Sequence, residues 1–220
     1  FMNLIISFLL IMILLPSCAP ISPPGLVAHI AKYHNLEPND LQGSFAIAPA
    51  NEQQRGSLEF SHYKEILAEE LLKRGLREVA MGKEPDFIIN VTYSIDSGRT
   101  GIRGVPIIGQ TGGGYTTYSG ISGSNPVFGS SYTAPTFDTV GVAPQSYLFF
   151  TRQVNIDFYD GASFRTGKLN KRYEAKIISR GTSSELERAF PYMVQALFKD
   201  FPGKSGEPAA VKVEIHEEKK

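Results

Sequence analysis

FIINVTYSI, residues 87–95, alternates apolar and polar side chains over most of its length. Successive side chains of an extended strand point to opposite faces. Phe87, Ile89, Val91, Tyr93 and Ile95 therefore share one face, and Asn90, Thr92 and Ser94 the other. A strand buried on one side only fits an antiparallel sheet covered by helices on a single face. Residues 147–160 repeat the pattern, with Leu148, Phe150, Val154, Ile156 and Phe158 in phase. Asp160-Gly161 then opens a connection to a strand over 169–179, where Leu169, Tyr173, Ala175 and Ile177 share a face. Upstream, SFAIAP (Ser44–Pro49) reads as the first strand, ended by its proline.

Two helices are expected against these strands. Over 58–74, Phe60, Tyr63, Leu67 and Leu71 recur at steps of three and four, with Ile66 beside them. Glu59 in the first turn and Lys73 and Arg74 in the last suit the helix dipole, and Gly75-Leu76 reads as a C-cap. The closing helix carries Leu186, Phe190, Met193, Leu197 and Phe201, with Thr182 and Glu185 as a candidate capping box. A proline inside a helix costs about 3 kcal/mol, so the expectation is a short turn through Ala189 and a helix with Pro191 in its first turn. The order of elements predicts an α+β fold: a mostly antiparallel sheet with two helices packed on one face and a long Gly-rich insertion between strands.

Residues 97–146 form that insertion. Eleven of the 21 glycines fall there among Ser, Thr and Tyr, and only Arg99, Arg103 and Asp138 are charged. With no periodic apolar pattern to repay ordering entropy, the segment is expected to be a mobile loop. The alternative is an interaction surface in which Tyr115, Tyr118 and Tyr132 supply contacts to an envelope protein partner. Residues 19–42, broken by Pro20, Pro23, Pro24, Gly25 and Pro38, read as a tether, and residues 203–220 as a solvated charged tail.

The chain has 220 residues and is 42% hydrophobic, with 22 Lys+Arg against 22 Asp+Glu. That is enough for one globular core over 44–202, and the even charge balance lacks the basic stripe of a nucleic-acid binder. A single cysteine excludes an intrachain disulfide and a zinc site built on several thiolates.

That cysteine follows LIISFLLIMILL, residues 4–15. As a helix this uncharged run rises about 18 Å, short of the roughly 30 Å hydrocarbon core, and it suits a signal peptide (residues 1–17) better than a membrane span. Phe1-Met2-Asn3 carries no Lys or Arg, so a chain beginning here is expected to lack its first residues, with the positive region upstream. Leu15-Pro16-Ser17-Cys18-Ala19 resembles the bacterial lipobox, with Pro16 where a small residue is usual. The resemblance implies cleavage between Ser17 and Cys18 and a Cys18 carrying S-diacylglycerol and an N-acyl chain. Residues 18–43 would then be the lipidated cysteine and its tether. Several acyl chains give lasting membrane attachment where one does not. Ala19 is not the Asp that resembles an inner-membrane retention signal, which favours an outer-membrane anchor facing the periplasm. The other reading makes Cys18 incidental, with an ordinary signal peptidase cutting after Ala19.

The whole pattern resembles a family of bacterial lipoproteins known only by a domain of unknown function. The matching pieces are the lipobox cysteine, FAIAP, ILAEELLKRGL, PDFIINVTYSI, a glycine-rich middle, VNIDFYDGASFRTGKL, KRYEAKI and a last helix ending at FKDFP. Leu169-Asn170-Lys171 stands where members often have Trp-Arg-Gly. The resemblance implies no activity and no cofactor.

Candidate chemistry is sparse. Ser61 and Lys64 match the Ser-x-x-Lys spacing of penicillin-recognising enzymes, without the companion Ser-Asp-Asn and Lys-Thr-Gly elements. Gly203-Lys204-Ser205 imitates the end of a phosphate loop but lacks its first glycine, since Phe198 stands there. Gly112-Gly113-Gly114 lacks dinucleotide-binding spacing. His29, His34, His62 and His216 are scattered, so no metal is expected, and Asp157 with Asp160 suits service to a turn. No catalytic residue is named and no enzyme activity is expected. The expected role is a non-catalytic binding or assembly module of the cell envelope, against an envelope-acting hydrolase or a small-ligand carrier using the sheet face that helices leave open.

Overall fold

The computed structural model describes residues 25–215. Its strands are β1 (Gly25–His34), β2 (Ser44–Pro49), β3 (Arg77–Glu78), β4 (Phe87–Ile95), β5 (Arg99–Ser122), β6 (Asn125–Asp160), β7 (Lys171–Gly181) and β8 (Ala209–Glu214). Its helices are α1 (Leu58–Lys73), α2 (Gly161–Arg165) and α3 (Leu186–Phe198). The strands form one eight-stranded sheet in the order β3-β2-β4-β6-β7-β1-β8, with β5 paired to β6 outside that path.

The expectation of a mostly antiparallel sheet is overturned. The sheet is mixed: β2 runs parallel to both β3 and β4, whereas β4, β6, β7, β1 and β8 pair antiparallel. The cause is α1, which carries the chain back along the sheet before β3 and β4, so both run the same way as β2. Alternation in FIINVTYSI reports which face is covered, not the direction of the neighbours. A third helix, α2, also stands beyond the two expected; its N-cap is Asp160, whose side chain accepts from Ser163 N.

Helix α1 follows its sequence signals. Ser57 caps it by accepting from Phe60 N, and Phe60, Tyr63, Leu67, Ala68 and Leu71 are buried. Gly75 has φ +95°, and Leu76 N donates back to Leu71 O at 3.3 Å, closing the helix as Gly-Leu promises. Helix α3 departs from expectation: it is continuous from Leu186, with Pro191 inside it. Burial of Leu186, Ala189, Phe190, Met193, Val194, Ala196, Leu197 and Phe198 offsets the roughly 3 kcal/mol that the proline costs. The expected Thr182–Glu185 box is also absent; Glu185 N instead donates to Ser183 Oγ at 3.1 Å.

Both helices lie on the sheet face that carries Phe45, Ile47, Ile89, Val91, Val154, Ile156, Phe158, Tyr173 and Ile177. Tyr63 of α1 stacks on Phe190 of α3 with centroids 4.1 Å apart, and Tyr93 of β4 meets Tyr63 edge-on at 4.7 Å. Burial and the nearby Glu59 carboxylate push the Tyr63 hydroxyl above its ordinary pKa, and burial does the same to Tyr173.

Three further expectations fail. The supposed tether contains β1, a strand between β7 and β8, because Leu26, Ala28, Ile30 and Lys32 alternate inward while the prolines only bracket it. Buried Lys32 ends at the carbonyl of Asp200 (2.6 Å) and its carboxylate (3.0 Å), so a charge on the inward face is paired. The supposed charged tail contains β8, whose Val213 is buried while Lys212 and Glu214 point outward. Leu169 does not join the face of β7; it is exposed before the strand begins. Residues 1–17, Ser17, Cys18 and His216 lie outside the described residues.

Candidate functional site

The segment expected to be a mobile loop is a two-stranded ribbon. From Arg99–Phe149 at its base to Ser122–Asn125 at its tip, β5 and β6 pair antiparallel, with register shifts between Ile107 and Ile108 and on either side of Gly112. At about 3.3 Å per residue it reaches roughly 75 Å. Below it, residues 150–160 of β6 continue into the centre of the sheet between β4 and β7. The arm is therefore an outgrowth of the core hairpin β4–β6.

Its glycines make room for cross-strand neighbours. A Cβ on Gly101 would lie 2.8 Å from the Tyr147 ring, and one on Gly129 would collide with the ring of Tyr118. Large side chains thus lie over glycines of the opposite strand, a device that orders glycine-rich strands. The tip turn needs only Gly123, at φ +65°, and Ser124 between Ser122 and Asn125. At the base, Asp96 Oδ1 accepts from Gly98 N (3.1 Å) and Thr151 N (2.9 Å). Arg103 donates from Nε and a terminal nitrogen to Gln145 Oε1 at 2.9 and 2.7 Å, with its guanidinium 5.8 Å from the centre of the Tyr147 ring. Tyr115 Oη donates to Ser130 Oγ at 2.9 Å.

The ribbon buries almost nothing. Ile102, Tyr115, Ile121 and Phe128 are 74, 71, 81 and 77% exposed, and Tyr118, Tyr132 and Phe137 are exposed as well. Residues 104–137 contain no charged side chain. Soluble chains seldom keep so long an uncharged, aromatic-bearing strand pair in water unless something binds it.

The backbone donors at the base hold the Asp96 carboxylate below its ordinary pKa of 3.8, Thr151 N contributing most. A lowered folded pKa adds stability above the unfolded value and loses it as pH falls through the folded value. Acidification below the ordinary aspartate range therefore loosens the ribbon's attachment. Amide exchange at Gly98 and Thr151 should speed up at low pH, and Asp96→Asn should bring that faster exchange to neutral pH. Unchanged exchange in the variant would show that Asp96 does not hold the base.

The other sequence candidates are not brought together. Ser61 is exposed on α1, and Lys64 lies 3.6 Å from Glu78 across to β3. Asp157 pairs with Lys171 at 3.2 Å, while Asp160 caps α2. His34 Nδ1 accepts from Leu36 N, and its Nε2 lies 3.0 Å from Gly203 O; His29 and His62 stand on separate elements. Ser205 Oγ accepts from His34 N, and Lys204 pairs with Glu207, so neither serves a phosphate cradle. Gly112–Gly114 sits at the irregular middle of the ribbon. Among the described residues no group of three or more His, Cys, Asp or Glu is placed to hold a metal, and no helix is long and apolar enough to cross a membrane.

The open sheet face is a second candidate. Gln153 Nε2 donates to Asn155, and Asn155 Nδ2 donates to Thr92 at 2.9 Å; a depression of about 340 Å³ lies beside them, lined also by Asp157, Lys171 and Glu174. These groups largely satisfy one another.

Fold and arm together define a class: a two-layer protein, one mixed sheet backed by helices, bearing a projecting β-ribbon. Residues 33–203 match the family described as a domain of unknown function (DUF4136), and the chain belongs to that family. No curated protein matches the sequence. Among solved structures, a PDZ domain protein from Parabacteroides distasonis ATCC 8503 is 16% identical at a TM-score of 0.42, over 88% of this chain but 40% of the other, a likeness too distant to define fold or function.

Proposed function

We propose that this protein is a lipid-anchored lipoprotein of a bacterial envelope, acting as a non-catalytic binding or assembly module whose contact element is the β5–β6 ribbon. The observation that carries this reading is the ribbon itself: an ordered arm of roughly 75 Å, uncharged over 104–137 and studded with exposed Tyr, Ile and Phe. Arms of this kind contribute nothing to a core, so their ordering is repaid elsewhere, by contact. The acids and the serine–lysine pair that a hydrolase would need are occupied in ion pairs and a helix cap or lie apart, which favours binding over catalysis. Self-satisfied polar groups on the open face likewise weigh against a ligand carrier there.

The anchor is Cys18, the sole cysteine, placed where the apolar run 4–15 ends. Cleavage between Ser17 and Cys18, with S-diacylglycerol and an N-acyl chain on that residue, would hold the domain at a membrane, the outer one where the cell has two. Cys18→Ser should leave an uncleaved, unacylated precursor. Intact mass of the purified protein tests this directly: a mature Cys18 without acyl mass, or a chain starting at Pro20, overturns the anchor. Fractionation should then move the variant out of the outer-membrane pool.

A further inference from the structure

We infer that the ribbon's partner is a second copy of this chain, joined through the open edge of β5 at residues 115–122. The inference rests on the reading of the ribbon as the contact element and adds the identity of the partner.

The two edges of the ribbon are not alike. Between residues 125 and 146, β6 carries Pro126, Pro135 and Pro144, and proline on a strand edge removes the donors that another strand would use. Strand β5 carries only Pro106, and past the register shifts its last eight residues, YTTYSGIS, pair regularly with β6 and contain no proline. The two-residue turn makes Ser122–Asn125 a pair that exchanges both ladder bonds. By alternation, Tyr118 and Gly120 bond inward to β6, while Tyr115, Thr117, Ser119 and Ile121 turn their N–H and C=O outward. Pro126, opposite Ile121, obeys the same phase: its missing donor is an outward one.

An outward row of unpaired backbone groups on an uncharged strand is a template for another strand. Absence of charge is what self-pairing demands, because about a two-fold axis every residue meets its own kind or a near neighbour, and like charges would repel. Centred on Tyr118, antiparallel pairing sets Thr117 opposite Ser119 of the other copy, with both bonds exchanged. Tyr115 then faces the other copy's Ile121, an aromatic against a β-branched side chain, twice over. Both are among the most exposed apolar residues of the protein. The product is a four-stranded tip, past the two strands that are marginal alone in water. One open and one guarded edge per ribbon also stop the assembly at two copies, where two open edges would polymerise.

The test uses the full-length lipidated chain in detergent. Analytical ultracentrifugation should show a dimer, and mild oxidation of Tyr118→Cys should give a reducible cross-linked dimer. Residues facing across a non-hydrogen-bonded pair stand about 4.5 Å apart at Cα, within disulfide reach. Tyr132→Cys, on the guarded strand, should give no more cross-link than the parent with its lone Cys18. The double variant Thr117→Pro with Ser119→Pro should halve the sedimenting mass, whereas Ser130→Pro, an outward position on β6, should not. A monomeric parent without cross-linking of Tyr118→Cys overturns the inference. So does a dimer that survives the double proline variant. Loss of envelope function on removal of the ribbon, read separately, tells whether the ribbon reading itself stands.

Discussion

Leu67→Ala and Leu197→Ala should each lower stability by about 2–5 kcal/mol, the usual cost of a cavity in a close-packed core. Leu67 is completely buried on α1, one turn after Tyr63, and Leu197 nearly so on α3, and both belong to the one core between helices and sheet. Neither site can collapse easily. Leu67 faces the sheet from a helix fixed by a cap at each end, and α3 is fixed by the contacts that sustain Pro191 within it. Glu69→Ala, on the solvent side of α1, should stay within about 0.5 kcal/mol. Denaturant melts of the three variants decide the matter. Equal midpoints would mean that the buried faces of the helices are not those described.

Removal of the ribbon should leave the fold and abolish self-association. Cutting residues 101–139 alone would strand residues 141–147 of β6, whose ladder partners are 101–107. The matched excision removes 102–146 and joins the paired Gly101 and Tyr147 through Asn-Gly. Every core side chain lies outside the cut. Loop-closure entropy changes by only about 0.6 kcal/mol for each doubling of length, so the excised chain should melt cooperatively within about 2 kcal/mol of the parent. Loss of cooperativity would show that the arm supports the core, and full envelope function without it would remove the ribbon from the proposed role.

Much of the core was legible in the chain because the signals there are local. Glu59, Gly75-Leu76 and the three-four spacing of Phe60, Tyr63, Leu67 and Leu71 specify α1 nearly to the residue, and Ser57 proves to be its N-cap. Strand β2 coincides with SFAIAP, and β4 with FIINVTYSI. Strand β1 is masked in the sequence because Pro24 and Pro38 bracket its alternation and give the stretch the composition of a tether. Strand β8 is masked because Lys212 and Glu214 give a half-buried strand the composition of a charge run. The ribbon looks like a loop in the sequence because it has no apolar face; its order comes from glycines fitting under Tyr147 and Tyr118, pairs that lie 46 and 11 residues apart in the chain.

By itself the sequence determined where α1, β2 and β4 lie and which faces of α1 and β4 are covered, since periodicity, caps and breakers act within a few residues. It also placed the sole cysteine at the end of an apolar run. Only the tertiary structure decided strand direction, the pairing of β1 with β7 and β8, the survival of Pro191 inside α3, and the ladder from Arg99–Phe149 to Ser122–Asn125. Those are contests between distant segments, settled by burial and by backbone hydrogen bonds whose partners no local pattern names.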